Sequence, residues 1–533
     1  MSTVEVRVDR VLGGGPFCEI GRPRVTATTP DGTLTAIGGA LTTPQWHARD
    51  VSRRSSPDPG WHPTAVYRST DLTCLFHLTT RWPANTLAFH PTLPLLAIGT
   101  GRYDGGWAYE GELLLLDLVT GVTVSLLQHP REVRRLTWQD PQTLDLVLAV
   151  PCDEDTKRFG TTSLACAIRR DDWDRATDGM LRMPYGEEPY PDECPTDPAD
   201  ATAVLEQRLG RAWTPRRAVW AVRGLPDGCV LAALDGIAVE CWTPTSPDHA
   251  WRVPSDGTGY QVTTLPSERT ALTLTQTTHS YGRWTTQPSA VVEVDLDTGA
   301  VRTIHRAAAP SVMVSRADGR WALRVTEAKA GRVTIAGLAG ARGRKVQLGP
   351  YRLFNHYFDI RYAPDLLFLQ DDADTRWVVA VDTPHRRVRR LFPLEWDTSR
   401  GGHLSGGCGA YLDDRAGPAI VHAGTVHNGA GLLPGNAFVV RRAYPTGEPS
   451  WVFTADHQAT ALDVDGDFIY VTFTSGELVV LRATDGAVQG RQQLRVNGHR
   501  VVPFSLARTG ANLLAIGTQD GRVLDCSIHR LIH

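Results

Sequence analysis

The six residues "LLAIGT" occur twice in this chain, at Leu95–Thr100 and at Leu513–Thr518, and each copy begins the same grammar of strand, glycine turn and strand. Repetition constrains a fold more tightly than any single residue, because it reports one supersecondary unit used many times. The first copy lies in "NTLAFHPTLPLLAIGTGRYDGGWAYEGELLLLDLVTGVTVSLL", residues 85–127. It reads as four short strands separated by "HPTLP", a loop and a "TG" turn. The second lies in "GHRVVPFSLARTGANLLAIGTQDGRVLDCSIH", residues 498–529, where only three strands fit before the chain ends. Looser versions begin near Ala218, Val262, Ser311, Phe358 and Ala459, and degenerate ones cover 24–80, 133–170 and 404–454. About ten units result, most of them 42–61 residues apart.

A four-stranded unit of this size leaves both of its faces in water when alone. Radial stacking covers each face with a neighbour and leaves only short edges, so an all-β β-propeller of about 8–10 units is the expected fold. The "DLVTG", "DLDTG" and "ATDG" segments suit the tight turns between outer strands, where Asp and Thr bond the turn backbone and Gly tolerates positive φ. The N-terminal "TVEVRV" alternates apolar and polar residues and has no partner nearby, so it is expected to supply the missing strand of the last unit. The array is expected to run continuously over 1–533, the alternative being two smaller propellers divided near 255. Residues 171–217 are acidic and Pro-rich and interrupt the pattern. Within them "DPADATAVLEQRLG" reads as a short helix with Asp197 as N-cap, Pro198 as first helical residue and Gly210 as the stop. The segment is either a solvated decoration or a partner-binding element.

These units resemble the WD-repeat family. The last unit carries Gly498–His499, "LARTG" in place of the family's small-Pro-Asp-Gly turn, and "GTQDGRV"; the unit at 85–127 adds "FHP" and "LLDL" where the family has Trp-Asp. No unit ends in Trp-Asp. The resemblance implies a propeller.

Composition narrows the function. A net charge of −3 with 21% charged residues gives no broad attraction to nucleic acid or anionic membrane. All but three (Lys157, Lys329, Lys345) of the 55 basic residues are arginine, which with frequent Ala, Gly and Thr suggests a high-GC bacterial source. The nine cysteines are scattered and never form CxxC; with no signal-peptide pattern, this leads us to expect a reduced, cytoplasmic setting. No apolar run reaches the length of a membrane span.

The chain carries few motifs of known chemistry. Asp463, Asp465 and Asp467 have the density of a calcium loop, but EF-hand counting places Thr474 where the bidentate Glu belongs. A polar turn is the simpler reading, and "QDDADT" at 370–375 reads the same way. His403, His422, His427 and Cys408 match no metal-ligand spacing. "GGHLSGG" lacks the glycine two before Ser405 that a nucleophile elbow needs, and "GGGPF" is no phosphate loop. The D-x-x-T-G turns lack the following Trp of quinoprotein dehydrogenases, and "SRADGRW" departs from the sialidase box. No catalytic residue, metal or cofactor is therefore expected, and strand tryptophans such as Trp138, Trp220 and Trp451 are expected to pack between units. The two long loops near the N-terminus are the expected contact surface, because aromatic and Arg side chains are common interface anchors. They carry Trp46, Arg53, Arg54 and Trp61, then Arg102, Tyr103, Trp107 and Tyr109. The leading expectation is a non-catalytic scaffold binding one or more proteins in a bacterial complex. The alternatives are a propeller hydrolase or lyase with charged groups at a channel mouth, and a sensor subunit of a multi-component system.

Overall fold

A computed structural model describes residues 2–42, 62–103, 109–149, 163–183, 198–265, 269–277, 279–281, 284–286, 288–325, 332–336, 344–349, 359–372, 375–382, 387–394, 403–428 and 431–532. The protein is all-β, built from many four-stranded antiparallel sheets; among the described residues the one α-helix is Pro198–Leu209. It divides into two compact units. The first joins Met1–Gly14 to Ala218–His533, and the second is the intervening Gly15–Arg217.

In the first unit, strand Val219–Gly224 opens a six-stranded sheet whose long members, Val230–Trp242 and His249–Thr264, change partners along their length. Residues 230–234 pair with 219–224, residues 237–242 with 249–254, and residues 258–264 with 270–276, so two four-stranded ladders share one sheet. Residue 255 lies inside this shared strand. Four-stranded sheets follow at 311–347 and 459–493. Between them lie three strands from Leu366 to Pro393 and the sheet His403–Ala455, with the short strand Asp359–Arg361 parallel to its first strand.

The last sheet is Pro503–Gly510, Leu513–Thr518 and Val523–Ile532, completed by the N-terminal strand Ser2–Leu12. The expected use of "TVEVRV" is thus seen directly: Val4 pairs with Arg530, Val6 with Ile528 and Val8 with Cys526. Arg10 clamps Asp525 at 2.7 Å. The Gln492 amide accepts Val6 N–H at 3.2 Å and donates to Val6 O at 2.5 Å, tying the strand to the preceding sheet as well.

The leading strands of these segments touch in series. Contacts run from Val219–Gly224 to the 258–264 stretch, and on through Ser311–Ser315, Asp359–Arg361, His403–Asp414, Ala459–Val464 and Pro503–Gly510. The last of these meets Val219–Gly224 again. Side chains reinforce the seams. Gln261 bonds both N–H (2.7 Å) and C=O (2.9 Å) of Met313, and Ser505 Oγ donates to Val219 O at 2.8 Å.

Glycine explains why "LLAIGT" recurs. Each copy is the second strand of its sheet, flanked on both sides and largely buried. A methyl on Gly99 would lie 2.6 Å from Val133 Cγ1, and one on Gly517 2.5 Å from Val219 Cγ1; each Val opens the leading strand of the next sheet. Gly38, in "TAIGGA", meets Ala84 in the same way at 2.7 Å. The threonines share a second role: Thr100 Oγ1 accepts Glu112 N–H at 2.9 Å and Thr518 Oγ1 accepts Arg522 N–H at 3.0 Å, fixing the start of the third strand.

The turn glycines serve a matching purpose at the outer edge. Gly299 and Gly486 hold φ of 70° and 72°, which favours Gly. Each lies under an indole from the preceding four-stranded ladder: Trp251 donates to Leu296 O at 3.1 Å and Trp451 to Ala483 O at 3.0 Å. Phe392 covers Gly447, and Phe76 covers Gly121, in the same position. Of the tryptophans expected to pack between repeats, Trp451 is found in this position, and Trp138 also reaches the neighbouring sheet, donating to Ala88 O at 3.4 Å.

The second unit contains sheets Arg22–Thr80, Ala84–Ser125 and Val133–Arg169. Its helix begins at Pro198 and stops before Gly210 (φ 63°), as expected; Asp197 lies outside the described residues. Ala201 and Leu205, one helical turn apart, are buried, and Leu205 packs with Phe17, Ile37 and Tyr67. Trp173 is fully buried, edge-on to Trp138 at 5.0 Å. The segment 171–217 therefore contributes to the core at both ends.

Candidate functional site

The leading strands of the first unit end in charge. "AVRG", "DIRY", "ALDV" and "LART" each break an apolar run just before the turn, with Arg223, Arg361, Asp463 and Arg508. Asp463 is fully buried at their centre. Its Oδ1 accepts Val464 N–H (2.9 Å). Its Oδ2 accepts Arg508 N–H (2.9 Å), the Tyr362 hydroxyl (3.2 Å) and Arg361 Nη1 (3.4 Å). Arg361 Nη1 also donates to Leu506 O at 2.6 Å.

Tyr362 adopts φ 62°, an uncommon conformation for a bulky residue; the residue is 47% exposed, yet its hydroxyl bonds the buried Asp463. Burial of that hydroxyl, and then the neighbouring Asp463, push its pKa up to about 12. A phenol held protonated is displaced away from the range a general base needs near neutral pH. The other buried carboxylates are likewise occupied. Asp414 takes a two-pronged contact from Arg441, whose guanidinium also reaches Ala483 O and Gly417 O. Glu240 accepts Trp242 Nε1 at 2.9 Å and lies 3.4 Å from Arg252.

The carboxylates of "DVDGD" diverge. Asp463 turns to the arginines, Asp465 bonds the Asp467 and Phe468 N–H groups and the Tyr470 hydroxyl, and the exposed Asp467 meets Arg530 at 3.6 Å. His422 is buried, with Nδ1 3.1 Å from Ala423 O. Burial and Arg442 lower its pKa to about 3. Among the described residues, no group of three or more His, Cys, Asp or Glu is placed to hold a metal, and no helix is long and apolar enough to cross a membrane.

Of the residues expected at a contact surface, Trp46, Arg53, Arg54, Trp61 and Trp107 lie outside the described residues. Arg102–Tyr103 forms a short ladder with Tyr109–Glu110 in the second unit. The Arg134 guanidinium lies over the Tyr109 ring at 5.2 Å. Arg134 also reaches Ser163 Oγ at 2.7 Å and Glu132 at 3.5 Å. Sequence reasoning passed over the neighbours of Arg102. Arg24 occupies a bulge between the pairs Pro23–Gly39 and Val25–Gly38, and bulges re-aim side chains. The signal available was "GRPRV", two arginines where a strand entering a core is expected to be apolar.

In comparison with known proteins, the sequence matches no family model and no curated protein.

Proposed function

We propose that the first unit is a seven-bladed β-propeller of WD-repeat-like grammar, and that the chain is a non-catalytic scaffold for protein–protein interaction. The series of leading-strand contacts that returns to its start supports the propeller, as does the shared last sheet built from both chain ends. The observation that carries the scaffold reading is the saturation of Asp463. The carboxylate at the strand ends, where a propeller enzyme would keep reactive groups, accepts four hydrogen bonds from its own fold. Such a group pins blades together and is not poised for proton transfer. A rigid disc then offers its loops to partners. The setting we propose is a multi-protein complex in a bacterial cytoplasm, with Arg102 and Tyr109 at the contact surface.

Affinity capture of the tagged full-length chain from its own host, followed by size exclusion and mass spectrometry, tests this. A stoichiometric protein partner is expected, and recovery of the chain alone would count against the scaffold.

A further inference from the structure

Four cationic or potentially cationic side chains gather at one end of the second unit's sheets. Arg22 pairs with Ala40, and His62 with Thr80. Because Gly38 pairs with Thr64, His62 and Ala40 are each two residues further along the same ladder, which puts Arg22 and His62 in one row across the sheet. Arg24 rises from its bulge beside that row. The next sheet arrives at the same level: Ala84 abuts Gly38 and pairs with Thr100, two residues before Arg102.

These groups repel one another. Burial, then Arg22 and Arg102, lower the pKa of Arg24; burial, then Arg102 and Arg24, hold His62 down at about 3. Among the described residues, Arg24 Nε and His62 Nδ1 are buried with no hydrogen-bond partner. Glu110 faces Arg102 across the short ladder without forming an ion pair, and the buried Glu132 is already engaged by Asn85 and Arg134. A fold gains nothing from gathering like charges around unsatisfied buried nitrogens; a bound anion supplies the counter-charge, acceptors for the guanidinium groups and, to the Nδ1–H tautomer of His62, an acceptor as well.

We infer that Arg22, Arg24, His62 and Arg102 form a binding site for a phosphate-bearing anion. Three arginines beside a neutral imidazole suit a dianion better than a single carboxylate, and planar guanidinium groups match phosphate oxygens in pairs. The inference stands on the second unit alone and holds whether or not the first unit is a propeller.

Isothermal titration calorimetry on the full chain tests it, with inorganic phosphate, O-phosphoserine and acetate as probes in chloride buffer of matched ionic strength. Phosphate is expected to bind at least tenfold more tightly than acetate, and Arg102→Gln to weaken phosphate at least tenfold. Because Arg102 repels Arg24, the same variant should also melt at a higher temperature without phosphate, which a purely structural arginine would not do. Tighter binding of O-phosphoserine than of inorganic phosphate would assign the anion to a phosphorylated partner; the reverse order would assign it to the free ion. No phosphate binding, equal binding of acetate, or unchanged affinity in Arg102→Gln would overturn the site.

Discussion

Substituting Gly517 by alanine tests how the repeated hexapeptide builds the first unit. The added methyl would sit 2.5 Å from Val219 Cγ1 and 2.7 Å from Val219 Cβ, against ordinary carbon contacts of about 3.5–4.0 Å. Ser505 Oγ, held by its bond to Val219 O, lies closer still to the position of the methyl. Overpacking of this kind costs about 1–3 kcal/mol. Alanine returns about 0.4–1 kcal/mol by restricting the unfolded chain, which leaves a net loss of about 1–2 kcal/mol. Val219 is fully buried, so Val219→Ala alone also destabilises. In the double variant the Val219 Cγ1 clash is gone while Val219 Cβ and Ser505 Oγ remain close, so only part of the overpacking is relieved and the loss should fall short of the sum by about 0.5–1 kcal/mol. Urea denaturation of the four proteins reads this coupling. Strict additivity, or a Gly517→Ala variant as stable as the parent, would refute the close-approach explanation. Gly99→Ala with Val133→Ala should repeat the result in the second unit.

The buried centre of the first unit and the two lowered histidines give further tests. Asp463→Ala strands Arg361, the Tyr362 hydroxyl and two backbone N–H groups, and should cost about 3–5 kcal/mol in urea denaturation. A loss under 1 kcal/mol would show that these bonds do not hold the strand ends together. His422 and His62 are both held down to about 3, below the ordinary value near 6.5. The unfolded chain therefore binds protons that the folded chain refuses between those values. Stability should rise with pH from about 3 to 6.5 and fall as the medium is acidified through that window. The fully enclosed His422 contributes a slope of about 1.4 kcal/mol per pH unit. His422→Gln should flatten the stability–pH curve by that amount, and an unchanged slope would contradict the assignment.

The strand-and-turn grammar was legible because each sheet needs the same alternation, and the N-terminal strand declared itself by lacking a local partner. The role of Gly99 and Gly517 was not legible, since it depends on a valine one sheet away: Val133 for one and Val219, 298 positions earlier, for the other. In a D-x-x-T-G repeat a docking tryptophan is expected just after the turn. Trp251 and Trp451 instead reach forward from one four-stranded ladder to the turn of the next, and "PTGEPSW" at 445–451 was the available clue. The charges ending the leading strands escaped notice because Arg223, Arg361, Asp463 and Arg508 lie up to 285 residues apart and align only once the sheets do. Arg102 and Tyr109 were legible as loop residues rich in interface chemistry. Arg24 was not, because its nearness to Arg102 depends on two sheets meeting.

Closure of the first unit by its own N-terminus is the claim on which the propeller reading rests, and amide hydrogen exchange on a variant lacking residues 2–12 tests it most directly. The pairing of Ser2–Leu12 with Val523–Ile532 supplies the last sheet's outer ladder, each bond worth roughly 1 kcal/mol. The account predicts that Val523–Ile532 loses protection first, that exposure spreads to Leu513–Thr518 and Val219–Gly224, and that the melting temperature drops. Full protection across Val523–Ile532 and an unchanged melting curve would contradict it.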